Sequence, residues 1–157
     1  MSAQQELQQL SQEIQELREQ IEHLEEEADS LRGDKSDIDD AIEALGALET
    51  GATIQMPVGG GAYVRAEVQD MDEVIVTLGG DYAAEKPEGD AIDTLENKKD
   101  ALDDRIEDVT DDIDNLENEA DQLEDKAQQL QQQAMQQQLQ QQGMQGQEPG
   151  AEGGDDE

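Results

Sequence analysis

The sequence predicts an α+β chain: a long antiparallel two-helix coiled coil with two β-hairpins inserted between the helices. Three observations predict it. Leu7, Leu10, Ile14, Leu17, Ile21, Leu24, Ala28 and Leu31 recur at spacings of three and four. Ile92, Leu95, Leu102, Ile106, Val109, Ile113, Leu116, Ala120, Leu123 and Leu130 keep the same rhythm. Between the two runs, residues 52–86 change to a period of two. A seam every 3.5 residues lays one apolar stripe along a helix, and that stripe must find a partner helix.

The first helical region is residues 1–51. Ser2-Ala3-Gln4-Gln5 fits a capping box, with Gln at the third helical position. The seam continues through Lys35, Ile38, Ile42 and Leu45, and only Lys35 breaks its apolar character. Gly51 is the expected stop.

Residues 52–86 read as four short strands in two hairpins. Ile54, Met56 and Val58 alternate with other residues, and Pro57 marks an edge or a bulge. Gly59-Gly60-Gly61 turns the chain into Tyr63–Val68. Asp70-Met71-Asp72-Glu73 leads to Val74-Ile75-Val76-Thr77-Leu78, and Gly79-Gly80-Asp81 turns into Tyr82-Ala83-Ala84. So few strand residues, with exposed edges, cannot stand as an isolated domain. Pairing with strands of other subunits is the natural resolution, which makes this segment an oligomerisation hub. Its candidate contact residues are Ile54, Met56, Val58, Tyr63, Val64, Val74, Val76 and Tyr82.

The second helical region, residues 87–142, follows Pro87, with Asp90 as the expected N-cap and Asp93 in the first turn. Its seam is interrupted by Lys99 alone before continuing to Ala127 and Leu130. The two registers mirror each other. Ile92 opposes Leu45, Leu95 opposes Ile42, Leu102 opposes Lys35, Lys99 opposes Ile38, and Leu130 opposes Leu7, with no insertion needed. Small faces large where Ala28 meets Val109, Ala120 meets Leu17 and Ala127 meets Leu10. The paired length would be about 60 Å. Lys35 and Lys99 fall in adjacent layers, where their stems can cover the seam while the ammonium groups reach flanking acids and pin the register. Residues 143–157 are expected to form a disordered acidic tail.

Composition narrows the function. The 157 residues carry a net charge of -34, with no Phe, Trp or Cys. Binding to nucleic-acid phosphates or anionic membranes needs clustered Lys and Arg, so neither is an expected partner. Self-repulsion of this size is screened in molar salt, where the Debye length falls to about 3 Å. Acidity with scarce lysine therefore points to a salt-rich cytoplasm. Absence of cysteine excludes disulfides and thiol catalysis. The N-terminal MSAQQELQQL has neither a basic nor an apolar leader region, and no run is apolar enough for a membrane span, so a cytoplasmic location is expected.

No catalytic constellation is present. Gly59-Gly60-Gly61 lacks the Gly-Lys-Ser/Thr of a phosphate loop. Acid runs around Asp37-Ile38-Asp39-Asp40 and Asp111-Asp112-Ile113-Asp114 lack the Gly and Glu spacing of a calcium loop, and read as solvated helix faces. His23, the single histidine, sits off the seam and cannot build a zinc site alone. Neither an enzyme, a cofactor nor a metal is expected. The glutamine-rich stretch from Gln128 embeds Leu130, Met135, Leu139 and Met144. It reads either as a fraying low-complexity end or as a flexible apolar surface for varied partners.

Helix, two hairpins and helix together resemble the prefoldin alpha subunit of archaeal type. Ile54-Gln55-Met56-Pro57-Val58-Gly59-Gly60-Gly61-Ala62-Tyr63-Val64 resembles that family's apolar-Pro-apolar-Gly turn followed by Tyr-Val. Val74-Ile75-Val76-Thr77-Leu78-Gly79 and Tyr82…Glu85-Lys86 resemble its second hairpin, which beta subunits lack. The resemblance implies a hexamer of two alpha and four beta subunits with a β-barrel base. It implies an ATP-independent holdase that captures unfolded polypeptides at coiled-coil tips and passes them to a group II chaperonin. The tips would here be Leu7, Leu10 and Ile14 on one helix and Leu130, Met135 and Leu139 on the other. The extreme acidity and the glutamine-rich tip depart from the family. A coiled-coil structural tether is the main competing reading. A nucleotide-exchange cofactor would place its β segment after the helices, and an acidic DNA mimic is explained less well than salt adaptation.

Overall fold

The computed structural model describes residues 2–146, in the order α1 (Ala3–Ala47), β1 (Thr53–Gly59), β2 (Ala62–Glu67), β3 (Val74–Gly79), β4 (Tyr82–Lys86) and α2 (Glu88–Gly146). The chain is thus two long helices with two antiparallel hairpins between them, as the periodicities predict. It divides into two compact units. Among the described residues, the terminal unit joins residues 2–24 to 112–146, and the central unit is Glu25–Asp111.

In the terminal unit, α1 starts with the expected capping box. Gln5 N–H donates to Ser2 Oγ at 3.2 Å, and Ser2 N–H donates to Gln5 Oε1 at 3.4 Å. Two otherwise unpaired amides are thereby satisfied reciprocally. Leu10, Ile21, Ile113 and Ala120 are buried along the seam. Leu10 shares one groove with Leu123 and Leu130, and Leu24 shares another with Leu116. Rising numbers on α1 meet falling numbers on α2, so the helices run antiparallel here.

The central unit repeats this pairing: Ala28 and Val109 are both buried, and Glu27, Lys35 and Asp39 of α1 meet Arg105, Asp103 and Lys99 of α2 in turn. α1 ends at Ala47 rather than at the expected Gly51. Leu48 N–H still donates to Ala44 O at 3.1 Å, and Gly51 instead serves the turn into β1 with φ at 89°. Gly51 N–H donates to Val68 O at 2.7 Å, and Val68 N–H to Ala52 O at 2.8 Å, extending the first hairpin's ladder. The start of α2 also differs from the expectation. It begins at Glu88, Pro87 O accepts the first helical bond from Ala91 N–H at 2.9 Å, and Asp90 lies inside the first turn. Proline has no amide to leave unsatisfied there, and Glu88 and Asp90 are the anions the helix dipole favours.

Both hairpins share one construction. β1 pairs with β2 from Thr53↔Glu67 to Gly59↔Ala62, with a bulge at Val58. β3 pairs with β4 from Val74↔Lys86 to Gly79↔Tyr82, with a bulge at Leu78. An apolar bulge residue is followed by glycines with positive φ, at 102° and 61° for Gly59 and Gly60 and at 132° and 56° for Gly79 and Gly80. Only glycine adopts such angles without strain. Each hairpin is its own two-stranded sheet, so every strand has an open edge.

α2 runs to Gly146, so residues 143–146 are helical and not the beginning of the expected tail. The remainder of that tail lies outside the described residues.

Candidate functional site

The candidate residues fall into three groups: the seam cations, the helix ends and the faces of the hairpins.

Four of the nine basic residues bridge α1 to α2. Arg18 pairs with Glu124 in the terminal unit. In the central unit Lys35 Nζ lies 2.5 Å from Asp103, Lys99 Nζ 2.6 Å from Asp39, and Arg105 2.9 Å from Glu27. The seam lysines thus reach flanking acids as the heptads suggest. The hydrogen bond to Asp39 raises the Lys99 pKa above its ordinary value, against a smaller opposing effect of desolvation. Arg18 is raised likewise by its hydrogen bond to Glu124. Part-exposed pairs like these contribute little stability in salt, so their value lies in geometry. A further ion pair, Arg32 to Asp29 at 3.1 Å, stays within α1.

At the helix ends the six candidate binding residues separate into two classes. Leu10 is buried, and Leu7, Ile14 and Leu130 are half-buried in the seam. Leu10 and Leu130 floor a groove rimmed by Glu6, Glu13 and Lys126. Met135 and Leu139 are each 65% exposed. The register explains the split. Leu7, Leu10, Ile14 and Leu130 hold seam positions, whereas the seam continues from Leu130 to Ala134 and leaves Met135 and Leu139 off it, in the stretch of α2 where, among the described residues, α1 gives out at Ala3. Four of the six are therefore seam residues first, and become available to a partner only when the helices part.

The hairpin residues also divide. On the first hairpin Ile54, Met56, Val64 and Ala66 share one face, because Ile54 pairs with Ala66 and Met56 with Val64. Met56 and Val64 are half exposed, Val58 protrudes from its bulge, and Tyr63 is 63% exposed. The second hairpin is different. β3 lines a groove through Val74, Ile75, Val76 and Thr77 together with Ala41, Ala44, Leu45 and Leu95 of the helices, and within it Val76 is buried and Val74 half-buried. Ile75 is 69% exposed, with Leu78 and Tyr82 also open. Ile75 and Leu78 are not among the sequence-predicted contact residues, though both are exposed. The signal was present, since an unbroken apolar run such as Val74–Val76 marks a strand with two faces to cover. Lys86 Nζ donates to Thr94 Oγ1 at 2.9 Å, and Met71 N–H to Thr50 Oγ1 at 3.1 Å, tying the hairpins to the helix ends.

Among the described residues, no group of three or more His, Cys, Asp or Glu is placed to hold a metal ion. His23 is exposed beside Glu16, Glu19 and Gln20. No described helix is long and apolar enough to cross a membrane.

Comparison with known proteins agrees with this architecture. Alpha subunits of prefoldin are similar: 70% identity over 98 residues in Halorubrum lacusprofundi, covering 62% of this chain and 64% of the relative. The Halobacterium salinarum protein is 66% identical over 96 residues, covering 61% and 62%. That of Haloquadratum walsbyi is 60% identical over 98 residues, covering 62% and 64%. The matched stretches span less than two thirds of each relative's length. A solved chain of filamentous PFD from Methanocaldococcus jannaschii shares the fold, with a TM-score of 0.51 at 24% identity, over 78% of this chain and 98% of that one. The family profile described as "Prefoldin subunit" matches residues 17–133, most of both helices and both hairpins, and the chain belongs to the prefoldin family.

Proposed function

We propose that the chain is an alpha-type subunit of an ATP-independent holdase, working in a salt-rich cytoplasm without enzymatic activity of its own. The observation that carries this reading is the pair Met135 and Leu139, 65% exposed on a helix that has outrun its partner. Such side chains invite apolar segments of an unfolded polypeptide, and methionine adapts to varied shapes. Fraying of the seam would add Leu7, Leu10, Ile14 and Leu130 to the same surface. Several arms around one cavity bind by avidity with weak affinity at each.

Assembly would run through the hairpins. Open edges on all four strands and the exposed Met56, Val58, Tyr63, Val64 and Tyr82 support it. Half-buried Ile54 would join them, Ile75 and Leu78 extend the surface, and Val74 and Val76 would support it from beneath. The partners are beta subunits, two alpha with four beta around a β-barrel base, and a group II chaperonin would receive the client. High negative charge would keep bound clients soluble.

The test is suppression of aggregation of a chemically unfolded protein in molar potassium chloride without ATP, by this chain co-expressed with a beta partner. Stoichiometric protection that is lost on truncation after Ala127, with assembly retained, is expected. A well-formed oligomer that protects nothing would replace this reading with the structural tether.

A further inference from the structure

The two lysines in the seam of the central unit have a reciprocal arrangement. Lys35 stands opposite Leu102 and pairs with Asp103, the next residue. Lys99 stands opposite Ile38 and pairs with Asp39, again the next residue. Both side chains are one third exposed, so each ammonium is drawn to the edge of an apolar layer and needs an acid at that edge.

Other pairings of the same heptads do not keep this reciprocal placement, an acid at the residue following each opposed seam position. A slip of one heptad in one direction sets Lys35 beside Val109 and Thr110, and Lys99 beside Leu45 and Gly46, with no acid at either following position. A slip the other way gives Lys35 Glu96, but sets Lys99 beside Leu31 and Arg32, a like charge. Parallel pairing of two copies of α1 sets Lys35 against Lys35, and two copies of α2 set Lys99 against Lys99. Leu, Ile and Ala elsewhere in the seam discriminate weakly among these alternatives, because a heptad slip exchanges one apolar residue for another. A cation in the seam does distinguish them, because it fits only where the layer's edge offers it a partner.

We propose that Lys35 and Lys99, with Asp103 and Asp39, are the specificity determinants of helix pairing: they select the antiparallel α1–α2 register against heptad slips and against pairing of like helices. Their loss leaves a seam that is more apolar and less discriminating.

The chain has no cysteine, so register can be read in the full chain from nitroxide labels at Ser30→Cys and Glu107→Cys. Both positions are exposed and stand opposite each other. Pulsed dipolar spectroscopy, with labelled chain diluted in unlabelled chain, should give one distance. In K35L/K99L a second population is expected, displaced along the helices by about 10 Å for one heptad, with helicity undiminished. K35R/K99R should restore the single distance. A single unchanged distance in K35L/K99L would overturn the proposal and assign the register to the docking of β3. Heterogeneity in K35R/K99R equal to that of K35L/K99L would also overturn it, since charge pairing would then not be what selects.

Discussion

Replacing Met135 and Leu139 with glutamine tests the assignment of client capture to the unpartnered end of α2. Both side chains are 65% exposed, so about two thirds of their apolar surface is open to a client and little of it supports the fold. Full burial of a Leu or Met side chain is worth about 1.5–3 kcal/mol. The exposed share is then about 1–2 kcal/mol per residue, or about 2–4 kcal/mol for the pair. A client covering half of that surface realises about 1–2 kcal/mol, a loss of about 5- to 30-fold in affinity at one tip. Glutamine forms helix about as well as methionine and leucine, and the neighbouring residues are already glutamine, so helicity should hold. Competition binding of a fluorescent, permanently unfolded client to the assembled oligomer in molar potassium chloride measures the change. Size-exclusion chromatography and circular dichroism in the same buffer confirm assembly and helix content. Unchanged affinity in a well-assembled double variant would refute the reasoning and move capture to the seam or to the hairpins. Weakened binding accompanied by loss of the oligomer would equally refute it, because these residues are placed far along the sequence from the hairpins.

Three further outcomes are expected. Ile113→Ala, in the buried seam of the terminal unit, should lower stability by about 2 kcal/mol, the low end for such truncations because the seam is one layer thick, as measured by urea unfolding in molar salt; an unchanged midpoint would show that this seam is not packed. Dilution from molar to about 0.1 M salt lengthens the Debye length from about 3 to about 10 Å, so the charge of -34 should melt helix at constant temperature, and constant ellipticity across that range would count against salt-dependent folding. The Lys99 pKa is raised on folding by Asp39, so its contribution is fully present below the ordinary lysine value of 10.5 and is lost as pH rises through the folded value. The difference in urea midpoint between the natural chain and Lys99→Met should therefore stay constant from pH 7 to about 10 and change only above it, whereas a difference that changed between about pH 7 and 9 would contradict the pairing.

Much of this molecule was legible in its sequence because the governing rules are local. Heptads depend on helix geometry alone, and they gave both helices, their antiparallel register and the polar layers at Lys35 and Lys99. The capping box at Ser2 and Gln5 and the glycine turns of both hairpins follow from a few neighbouring residues. Helix ends were less legible. Gly51 and Asp90 have the right chemistry for a stop and a start, but Ala47 and Pro87 bound the helices because the backbone between them is committed to turns and ladders.

The covered faces were decided only in three dimensions. Val74, Ile75 and Val76 are all strongly apolar, yet Val76 is buried while Ile75 remains 69% exposed. Leu130 and Met135 stand five residues apart in one glutamine-rich stretch, yet Leu130 is half-buried in the seam while Met135 falls off it and is exposed, close to where α1 begins at Ala3. Periodicity specifies that an apolar stripe exists. What lies across from it depends on where a distant segment starts, stops and turns, and that relation is set by tertiary packing alone.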